Sequence, residues 1–376
     1  MTQDAALAAA GTAEPSAPGD VRYGVIGTGM MGVEHINNLL AIEGAAVVAV
    51  ADPDERSRDW AQLAVGLDEP LARFSDHRDL LAAGECDAVV IATPNHTHRD
   101  VLMDVLDSPV HVLVEKPLCT TVADCRAVIE RAASGPAGRV VWMGLEYRYM
   151  PPTRRLLEEV RGGAVGAVRM VAIREHRFPF LPKVGDWNRF NANTGGTLVE
   201  KCCHFFDLMN LVAGRRPRRV VASGAQDVNH LDECYDGAVP DIIDNAYVLV
   251  EYDGGVRAAL DLCMFAEASR NEQELAVTGD AGKVEALVTE GLLRIGRRAD
   301  GIGAVTELAV TDDRVQFAGF HHGASYLEHV DFLEAIRAGA PPAVTLEDGM
   351  WAVAIGEAAH RSIDERRWVD VGELLS

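Results

Sequence analysis

The chain has 376 residues, of which 48% are hydrophobic and 24% are charged, and its formal net charge is −22. This composition is that of a globular protein, and the length favours two domains over one. Nucleic acids and anionic membrane surfaces would repel such an acidic chain, and no apolar run is long enough to span a bilayer, so neither is an expected partner.

The first 20 residues contain no Lys or Arg and are rich in Ala, Pro, Ser and Gly. A secretory signal would begin with a basic segment, so this composition indicates a disordered tail over residues 1–20. Seven cysteines are scattered along the chain without a CxxC pair. They fit reduced thiols, and we therefore predict a cytoplasmic protein.

Residues 21–148 alternate short runs rich in Val and Ile with amphipathic segments. Strands are predicted at 23–27, 45–52, 87–93, 111–117 and 139–148, and helices near 31–42, 54–65, 76–83, 98–107 and 121–134. This alternation predicts a doubly wound parallel sheet covered by helices on both faces. We therefore expect an α/β domain of the Rossmann type over residues 21–148.

A glycine-rich turn lies between the first predicted strand and the first predicted helix. Its residues are Gly27, Thr28, Gly29, Met30, Met31 and Gly32, which fit the pattern GxGxxG. In dinucleotide-binding domains, the first glycine makes the tight turn, the second admits the pyrophosphate, and the third lets the helix pack on the strand. The context of strand, turn and helix predicts that these six residues bind a dinucleotide.

The choice of dinucleotide depends on Asp52, which ends the second predicted strand twenty residues after Gly32. An acid at this place accepts hydrogen bonds from ribose hydroxyls and repels a 2′-phosphate. We therefore predict that Asp52 binds the cofactor and that NAD is favoured over NADP. Arg56 and Arg58 follow closely and could accommodate a phosphate, or they could simply form a solvated helix face.

Two later strands also end in polar residues. The first run consists of Thr93, Pro94, Asn95, His96, Thr97 and His98, and the second consists of Glu115, Lys116 and Pro117. Ligands of doubly wound sheets bind outside the carboxyl ends of the strands. The predicted cofactor residues here are Thr93, Pro94, Asn95, His98, Glu115 and Lys116. A capped turn or an exposed ion pair would explain either motif by itself.

From residue 149 onward the pattern is different, and we expect a second, α+β domain over residues 149–376. Helices are predicted at 153–161, within 194–209, at 323–338 and at 346–363, and strands at 166–175, 218–226, 244–252, 256–266, 273–279 and 283–288. Turns at 253–255 and 279–282 indicate hairpins, and so an antiparallel or mixed sheet. The closing helices could pack back on the first domain.

The helix predicted within 194–209 carries several polar residues. Thr197 is a good N-cap, and Glu200 completes the capping box T-x-x-E. On a continuous helix Glu200, His204 and Asp207 share one face, and a buried helix needs partners for them. A core histidine bonded to Asp207 would satisfy this need, and so would a cleft that holds a polyhydroxylated substrate.

Cys202, Cys203 and His204 suggest a zinc site, but consecutive helix residues point about 100° apart and cannot converge on one ion. No second cluster with zinc spacing appears in the sequence. We therefore predict that the protein holds no metal.

In their order along the chain, GTGMMG, ATPNHTH, EKPL and a later GGT…E…H…D segment resemble the glucose–fructose oxidoreductase, inositol dehydrogenase and rhizopine-catabolism family (Gfo/Idh/MocA). The resemblance covers nearly the whole chain from about residue 21. It implies an N-terminal Rossmann domain and a C-terminal open-faced sheet that forms contacts in a homodimer or homotetramer. It also implies oxidation or reduction of sugars and cyclitols with a nicotinamide cofactor.

The family's site residues can be carried over one by one. Lys116 inherits the role of the shared catalytic lysine, with a cis peptide bond before Pro117, and His204 inherits that of its partner histidine. Where the family usually has Asp four residues before that histidine, this chain has Glu200, which we expect to be catalytic too. Lys201 replaces a residue that is usually neutral.

The predicted reaction is hydride transfer between nicotinamide and a secondary hydroxyl of a sugar or cyclitol, in a cleft between the domains. Lys116 and His204 would flank the reacting oxygen, and Glu200 or Asp207 would orient the imidazole. The predicted substrate contacts are Trp187, Asn188, Arg189, Lys201, Asp207, Arg148 and His176. Two alternatives stay open: a glycoside or sugar 3-dehydrogenase, whose aglycone would lie on loop 178–187, and a non-catalytic protein that senses NAD.

Overall fold

The computed structural model describes residues 19–375, which form two compact units. The first unit contains the described part of Met1–Leu118 together with Cys125–Gly144 and Arg314–Glu347. The second contains Cys119–Asp124, Leu145–Asp313 and the described part of Asp348–Ser376. Of the predicted tail, residues 1–18 lie outside the described residues.

The first unit is built on a six-stranded sheet in which all neighbouring strands are parallel. Its strands are β1 (Val21–Ile26), β2 (Ala45–Ala51), β3 (Ala72–Phe74), β4 (Ala88–Ile91), β5 (His111–Glu115) and β6 (Val141–Gly144). Their order across the sheet is β3-β2-β1-β4-β5-β6, which is that of a Rossmann fold. All residues of β4 are buried, as expected for a strand covered on both faces.

Helices alternate with these strands. They are α1 (Met30–Leu40), α2 (Glu55–Val65), α3 (His77–Ala83), α4 (His98–Val105) and α5 (Val122–Ser134). Asp54 caps α2 by accepting a hydrogen bond from the Ser57 N–H (2.8 Å), and Asp76 caps α3 in the same manner. The sequence pattern predicts all five helices and every strand except β3, whose three residues are too few to show a period.

The second unit is built on a nine-stranded sheet, antiparallel except where β7 and β10 pair in parallel. Its residues Leu145–Asp313 form the helices α6 (Pro151–Arg161), α7 (Asn191–Thr194), α8 (Thr197–Glu200) and α9 (Cys203–Ala213). Its strands are β7 (Val168–His176), β8 (Pro217–Ala225), β9 (Asn245–Tyr252), β10 (Arg257–Cys263), β11 (Gln273–Gly279), β12 (Gly282–Leu287), β13 (Leu292–Arg297), β14 (Val305–Ala309) and β15 (Val369–Asp370). Their order across the sheet is β14-β13-β12-β11-β7-β10-β9-β8-β15.

The predicted fold class is confirmed in both units. The two predicted hairpins are also confirmed, because β9 pairs with β10 and β11 pairs with β12 across the expected turns. Burial alternates along β9: Ala246, Val248 and Val250 are buried, whereas Tyr247 and Leu249 are exposed. One face of this strand therefore contributes to the core, and the other presents apolar side chains at the surface.

Two long helices close the chain, α10 (Ala324–Ala338) and α11 (Leu346–Glu365). The residues of α10 belong to the first unit. Phe332 of α10 is fully buried and makes edge-to-face contacts with Tyr23 of β1 and Trp142 of β6, at centroid distances of 6.3 and 5.9 Å. An aromatic cluster thus ties the late helix α10 into the core of the first sheet.

The single helix predicted within 194–209 is two helices. Lys201 and Cys202 form a turn between α8 and α9, so the helical spacing that joins Glu200 to His204 is interrupted. The predicted capping box is wrong as well. Gly196 is the N-cap of α8, and the hydroxyl of Thr197 instead donates a hydrogen bond to the carbonyl of Ile243 (2.6 Å).

Candidate active site

The glycine-rich turn joins β1 to α1, and its three glycines meet different steric requirements. Gly27 has φ +87°, and a Cβ there would lie 2.7 Å from the carbonyl of Ala92. A Cβ on Gly32 would overlap the carbonyl oxygen of Gly27. A Cβ on Gly29, the N-cap of α1, would meet nothing within 4 Å. The turn is therefore open at Gly29, where the start of a helix presents its N–H groups to an anion.

Asp52 follows β2, and its carboxylate is fixed beside this turn. One oxygen accepts a hydrogen bond from the Thr28 N–H (2.8 Å), and the other accepts one from the Asp54 N–H (2.9 Å). The hydroxyl of Thr28 is buried and has no hydrogen-bond partner among the described residues. An open helix start, a fixed carboxylate and an unpaired buried hydroxyl fit a dinucleotide, whose pyrophosphate and ribose these groups would hold.

The loops after β4 and β5 are joined by His98. Its ring nitrogens contact the carbonyl oxygens of Pro117 (2.8 Å) and Thr93 (2.9 Å), and the side chain is fully buried. The hydroxyl of Thr97 contacts that of Thr93 at 2.8 Å. Asn95, which lies between these two residues in the sequence, is buried. The two predicted strand-end motifs are therefore connected at the carboxyl ends of neighbouring strands.

Lys116 directly follows β5, and the buried carboxylate of Glu115 holds its backbone. Glu115 accepts a hydrogen bond from the Lys116 N–H (3.0 Å) with one oxygen and contacts Nε2 of His35 (3.0 Å) with the other. Nδ1 of His35 contacts Nε2 of His329 on α10 at 2.8 Å. Burial alone would raise the pKa of Glu115, but the bond to His35 and its charge lower that pKa to about 2. The peptide bond between Lys116 and Pro117 is cis, as the resemblance implies.

In the second unit, His204 lies in the first turn of α9 and stacks on the ring of Tyr147. The ring centroids are 3.9 Å apart and the ring planes differ by 7°. The hydroxyl of Tyr147 lies 2.6 Å from Nζ of Lys201, which is 3.1 Å from a carboxylate oxygen of Glu175. All four side chains are buried, as is Glu200 at the end of α8. A predicted catalytic residue and a predicted substrate residue thus meet in one buried network.

Three other predicted substrate residues contact polar partners in the second unit. Arg148 donates from Nε and Nη2 to the two carboxylate oxygens of Asp207, at 2.6 and 2.5 Å. Arg148 also lies 3.4 Å from the carboxylate of Asp348. On β7, Nε2 of His176 lies 3.1 Å from the carboxylate of Asp261. Both oxygens of Asp207 are therefore engaged by a guanidinium, in the two-pronged geometry of a strong ion pair.

The remaining predicted substrate residues lie in the short helical segment Val184–Arg189. Asn188 is buried and donates from Nδ2 to the carbonyl of Leu181 (3.0 Å). Arg189 is buried too and donates from Nε to the carboxylate of Glu233 (2.9 Å), while the backbone carbonyl of Trp187 accepts a bond from Asn193. Hydrogen bonds with Leu181, Asn193 and Glu233 therefore hold this segment in place.

Four residues that no sequence motif singles out complete these networks: His35, His329, Tyr147 and Glu175. A periodicity signal existed for two of them. His35 follows Gly32 by three residues, on the buried side of α1. Glu175 follows Ile173 by two residues, at an inward-facing position of β7. A titratable residue in phase with core positions indicates a buried partner, although the pattern does not identify that partner.

Helix α8 is anchored by His360 of α11. Nε2 of His360 accepts a hydrogen bond from the Leu198 N–H at 3.1 Å, and a Cβ on Gly196 would overlap the imidazole ring. Burial lowers the pKa of His360 to about 4. The ring is therefore neutral at pH 7 and serves as a hydrogen-bond acceptor for the first turn of α8.

Residues 19–375 contain no group of three or more His, Cys, Asp or Glu side chains that could hold a metal ion. Over the same range, no helix is both long and apolar enough to cross a bilayer. All seven cysteines fall within it, and none of them forms a disulfide bond.

The Rossmann-type sheet, the glycine turn and the fixed acid define a dinucleotide-binding protein. The chain belongs to the Gfo/Idh/MocA oxidoreductase family. Residues 21–145 match the model for "Oxidoreductase family, NAD-binding Rossmann fold", and residues 158–371 match that for "Oxidoreductase family, C-terminal alpha/beta domain". The predicted family and the NAD-binding domain are confirmed, and the protein is an oxidoreductase.

Several known proteins are similar to this chain over nearly their whole length. Myo-inositol 2-dehydrogenase of Thermotoga maritima is 27% identical over 364 residues, which cover 94% of this chain and 100% of that protein. A crystal structure of a putative myo-inositol dehydrogenase from Sinorhizobium meliloti 1021 matches with a TM-score of 0.75 and 26% identity, covering 93% of this chain and 99% of the other. Levoglucosan dehydrogenase in complex with NADH and levoglucosan shares the fold, with a TM-score of 0.82 at 19% identity over 94% of this chain and 99% of the other.

The open position at Gly29 predicts a variant that separates nucleotide binding from folding. Gly29→Ala should leave the free energy of unfolding within about 0.5 kcal/mol of wild type, because φ is −68° and the added methyl meets no neighbour. The methyl would occupy the approach of the pyrophosphate, so NADH affinity should fall at least about tenfold. Fluorescence titration with NADH and urea unfolding measure the two quantities.

Gly32→Ala is the matched control. It should lose both stability and NADH binding, because its methyl would overlap the carbonyl oxygen of Gly27. Wild-type NADH affinity in Gly29→Ala would show that the pyrophosphate does not bind at this turn.

The buried His360 predicts an acid-sensitive step in stability. The unfolded chain takes up a proton on this residue near its ordinary pKa of 6.5, whereas the folded chain does so only near 4. The free energy of unfolding should therefore fall by up to about 3 kcal/mol as the pH drops through this window, and no further below it. Urea unfolding over this range, in wild type and in His360→Gln, checks the step.

His360→Gln keeps a hydrogen-bond acceptor for the Leu198 N–H but cannot titrate. Its stability should consequently depend less on pH over the same range. An equal slope in the variant would assign the acid sensitivity to other groups.

Proposed function

We propose that this protein is an NAD-dependent dehydrogenase that transfers hydride between nicotinamide and a secondary hydroxyl of a cyclitol or sugar. The observation that carries the proposal is the place of Lys116, directly after β5 and at the same sheet edge as the glycine turn after β1. The similarity of this chain to the Thermotoga maritima myo-inositol 2-dehydrogenase, over that protein's full length, supports a substrate with an inositol-like ring. An uncharged, polyhydroxylated substrate also suits a chain with a net charge of −22.

Oxidation of a secondary alcohol to a ketone removes a hydride from the carbon and a proton from the oxygen. Bound NAD supplies the hydride acceptor. Lys116 and His204 are the proposed pair of which one accepts the proton and the other donates a hydrogen bond to the reacting oxygen. Glu200, which is buried and lies four residues before His204 in the sequence, is proposed to act with them.

A specific observation supports the second candidate, a dehydrogenase that oxidises a glycosyl unit. In the loop 178–187, Leu181 and Val184 are 46% and 48% exposed. Apolar side chains on a loop can contact the aglycone of a glycoside, whereas a free cyclitol offers no such apolar group. NAD reduction measured with a panel of inositols, free sugars and aryl glycosides separates the two candidates.

Lys116→Ala tests the chemical assignment. Turnover with the preferred polyol should fall by about 10²-fold or more, because a proton-transfer group is lost, while NADH affinity stays near wild type. Lys283→Ala is the matched control, since Lys283 is an exposed lysine of β12 whose Nζ pairs with the carboxylate of Glu285. Activity is followed by NADH absorbance and binding by fluorescence.

Three outcomes are distinct. Turnover by wild type but not by Lys116→Ala supports the proposal. Near-normal turnover in Lys116→Ala contradicts the role of Lys116. NADH binding by wild type without turnover on any member of the panel favours the non-catalytic sensor.

We also propose that the protein forms a homodimer or homotetramer through the exposed face of the sheet in the second unit. Tyr247 and Leu249 of β9 and Met170 of β7 are 68%, 50% and 58% exposed. Such apolar side chains on a sheet face favour a protein partner. The free thiols suit a cytoplasmic location, and the acidic charge disfavours nucleic acid and membrane as partners.

A double variant, Tyr247→Lys with Leu249→Lys, tests this surface. Two ammonium groups on the face should convert the oligomer to monomers, because burying them without partners is unfavourable. Light scattering coupled to gel filtration measures the mass. Leu67→Lys, at a 74% exposed apolar residue of the first unit, is the control that should keep the wild-type mass. A monomeric wild type would refute the proposal.

A further inference from the structure

Lys201 is a lysine that the fold buries almost completely. Its side chain is 6% exposed, and Nζ lies 3.1 Å from the carboxylate of Glu175, whose side chain is fully buried. A buried ammonium is unfavourable unless it is paired and hydrogen-bonded. Glu175 provides the counter-charge, and the hydroxyl of Tyr147, at 2.6 Å, provides the second contact. The lysine is thereby held in one place.

The ring of Tyr147 connects this ion pair to His204. One end of the tyrosine meets Lys201 through its hydroxyl, and the flat face of the ring stacks on the imidazole at 3.9 Å. Phe205 packs against another side of the tyrosine in an edge-to-face contact, with ring planes at 71°. A parallel stack in a packed interior restricts rotation of the imidazole, because any turn of its plane would drive it into the tyrosine ring.

We propose that Lys201 and Tyr147 are positioning residues for His204. The ion pair of Lys201 with Glu175 fixes the tyrosine ring, and the ring sets the plane of the imidazole that meets the reacting oxygen. This inference rests on the proposed function, because it takes His204 as a residue of proton transfer. It gives Lys201 a role through Tyr147 in place of the direct substrate contact expected from the sequence.

The network also predicts which substitutions change the orientation of the His204 ring without lowering the stability of the fold. Lys201→Met keeps a long unbranched side chain but leaves Glu175 without its ammonium partner, so the free energy of unfolding should fall. In Lys201→Met the carboxylate of Glu175 keeps a longer contact with Arg177, at 3.5 Å. Adding Glu175→Gln removes this weakly compensated buried charge, and the melting temperature should return toward that of wild type. The hydroxyl of Tyr147 still lacks its lysine in this double variant.

The decisive measurement is kcat in Lys201→Met with Glu175→Gln. We expect kcat to stay about tenfold or more below wild type although stability is regained, because a small misplacement of a catalytic group is enough to slow the reaction. KM for NAD should be unchanged. Tyr147→Phe keeps the stack and should lose only a few-fold, whereas Tyr147→Leu removes it and should lose about as much as the double variant.

Two kinetic outcomes would overturn the proposal. Recovery of both stability and kcat in the double variant would give the lysine a purely structural role. A raised KM for the substrate with unchanged kcat would make Lys201 a substrate-binding residue.

A failure of the proposed function remains distinguishable from a failure of this inference. Proton NMR of the His204 ring, assigned with His204→Asn, reports the stack without any turnover. The ring current of Tyr147 should shift the imidazole resonances upfield in wild type and not in Tyr147→Leu, and the double variant should lie between them. Identical resonances in all three proteins would overturn the inference even if the enzyme is active.

Discussion

The buried carboxylate of Glu115 determines how the nucleotide-binding edge of the first unit is assembled. An ion at that depth must find donors, and it finds the N–H of Lys116 and the ring of His35. Because His35 lies on the helix that the glycine turn opens, this contact fixes α1 against the end of β5. His329 extends the chain of contacts to α10. The backbone of Lys116 is therefore held by elements from three separate parts of the sequence.

The second unit solves the same physical problem with other residues. Arg148 and Asp207 form a buried two-pronged ion pair, and Lys201 with Glu175 forms another. Replacing such pairs by apolar residues is often neutral or stabilising, so their presence is weak support for a role in stability. A buried ion pair instead fixes the orientation of its two side chains, because each charged group must point at its partner. Asp207 lies on α9 together with His204, and Lys201 lies in the turn directly before α9, so each pair fixes a partner to this part of the second unit.

Local signals in the sequence predict most of the fold, and they fail where distant contacts decide the structure. The runs of Val and Ile and the turn 27–32 identify the Rossmann unit, because strand periodicity and glycine geometry are local properties. The capping box predicted at Thr197 is wrong because the hydroxyl of Thr197 bonds to the carbonyl of Ile243, a residue far along the chain. The pairing of Lys201 with Glu175 is invisible for the same reason. The resemblance indicates Lys116 and His204, but only the three-dimensional structure shows which residues surround them.

Glu115, which holds the backbone of Lys116, and His360, which holds α8, differ in their response to acid. Burial alone would raise the pKa of Glu115, but His35 lowers it from 4.5 to about 2, so the stability from that contact is complete above 4.5 and is lost as the pH falls toward 2. Burial lowers the pKa of His360 from 6.5 to about 4. The stability from the neutral ring that holds α8 is therefore lost as the pH falls from 6.5 to about 4. Mild acid therefore weakens the support of the helix before His204 while the support of Lys116 is still intact. The ordering follows from the chemistry of the two anchors, because a buried imidazole must stay neutral whereas a buried carboxylate paired with His35 must stay charged.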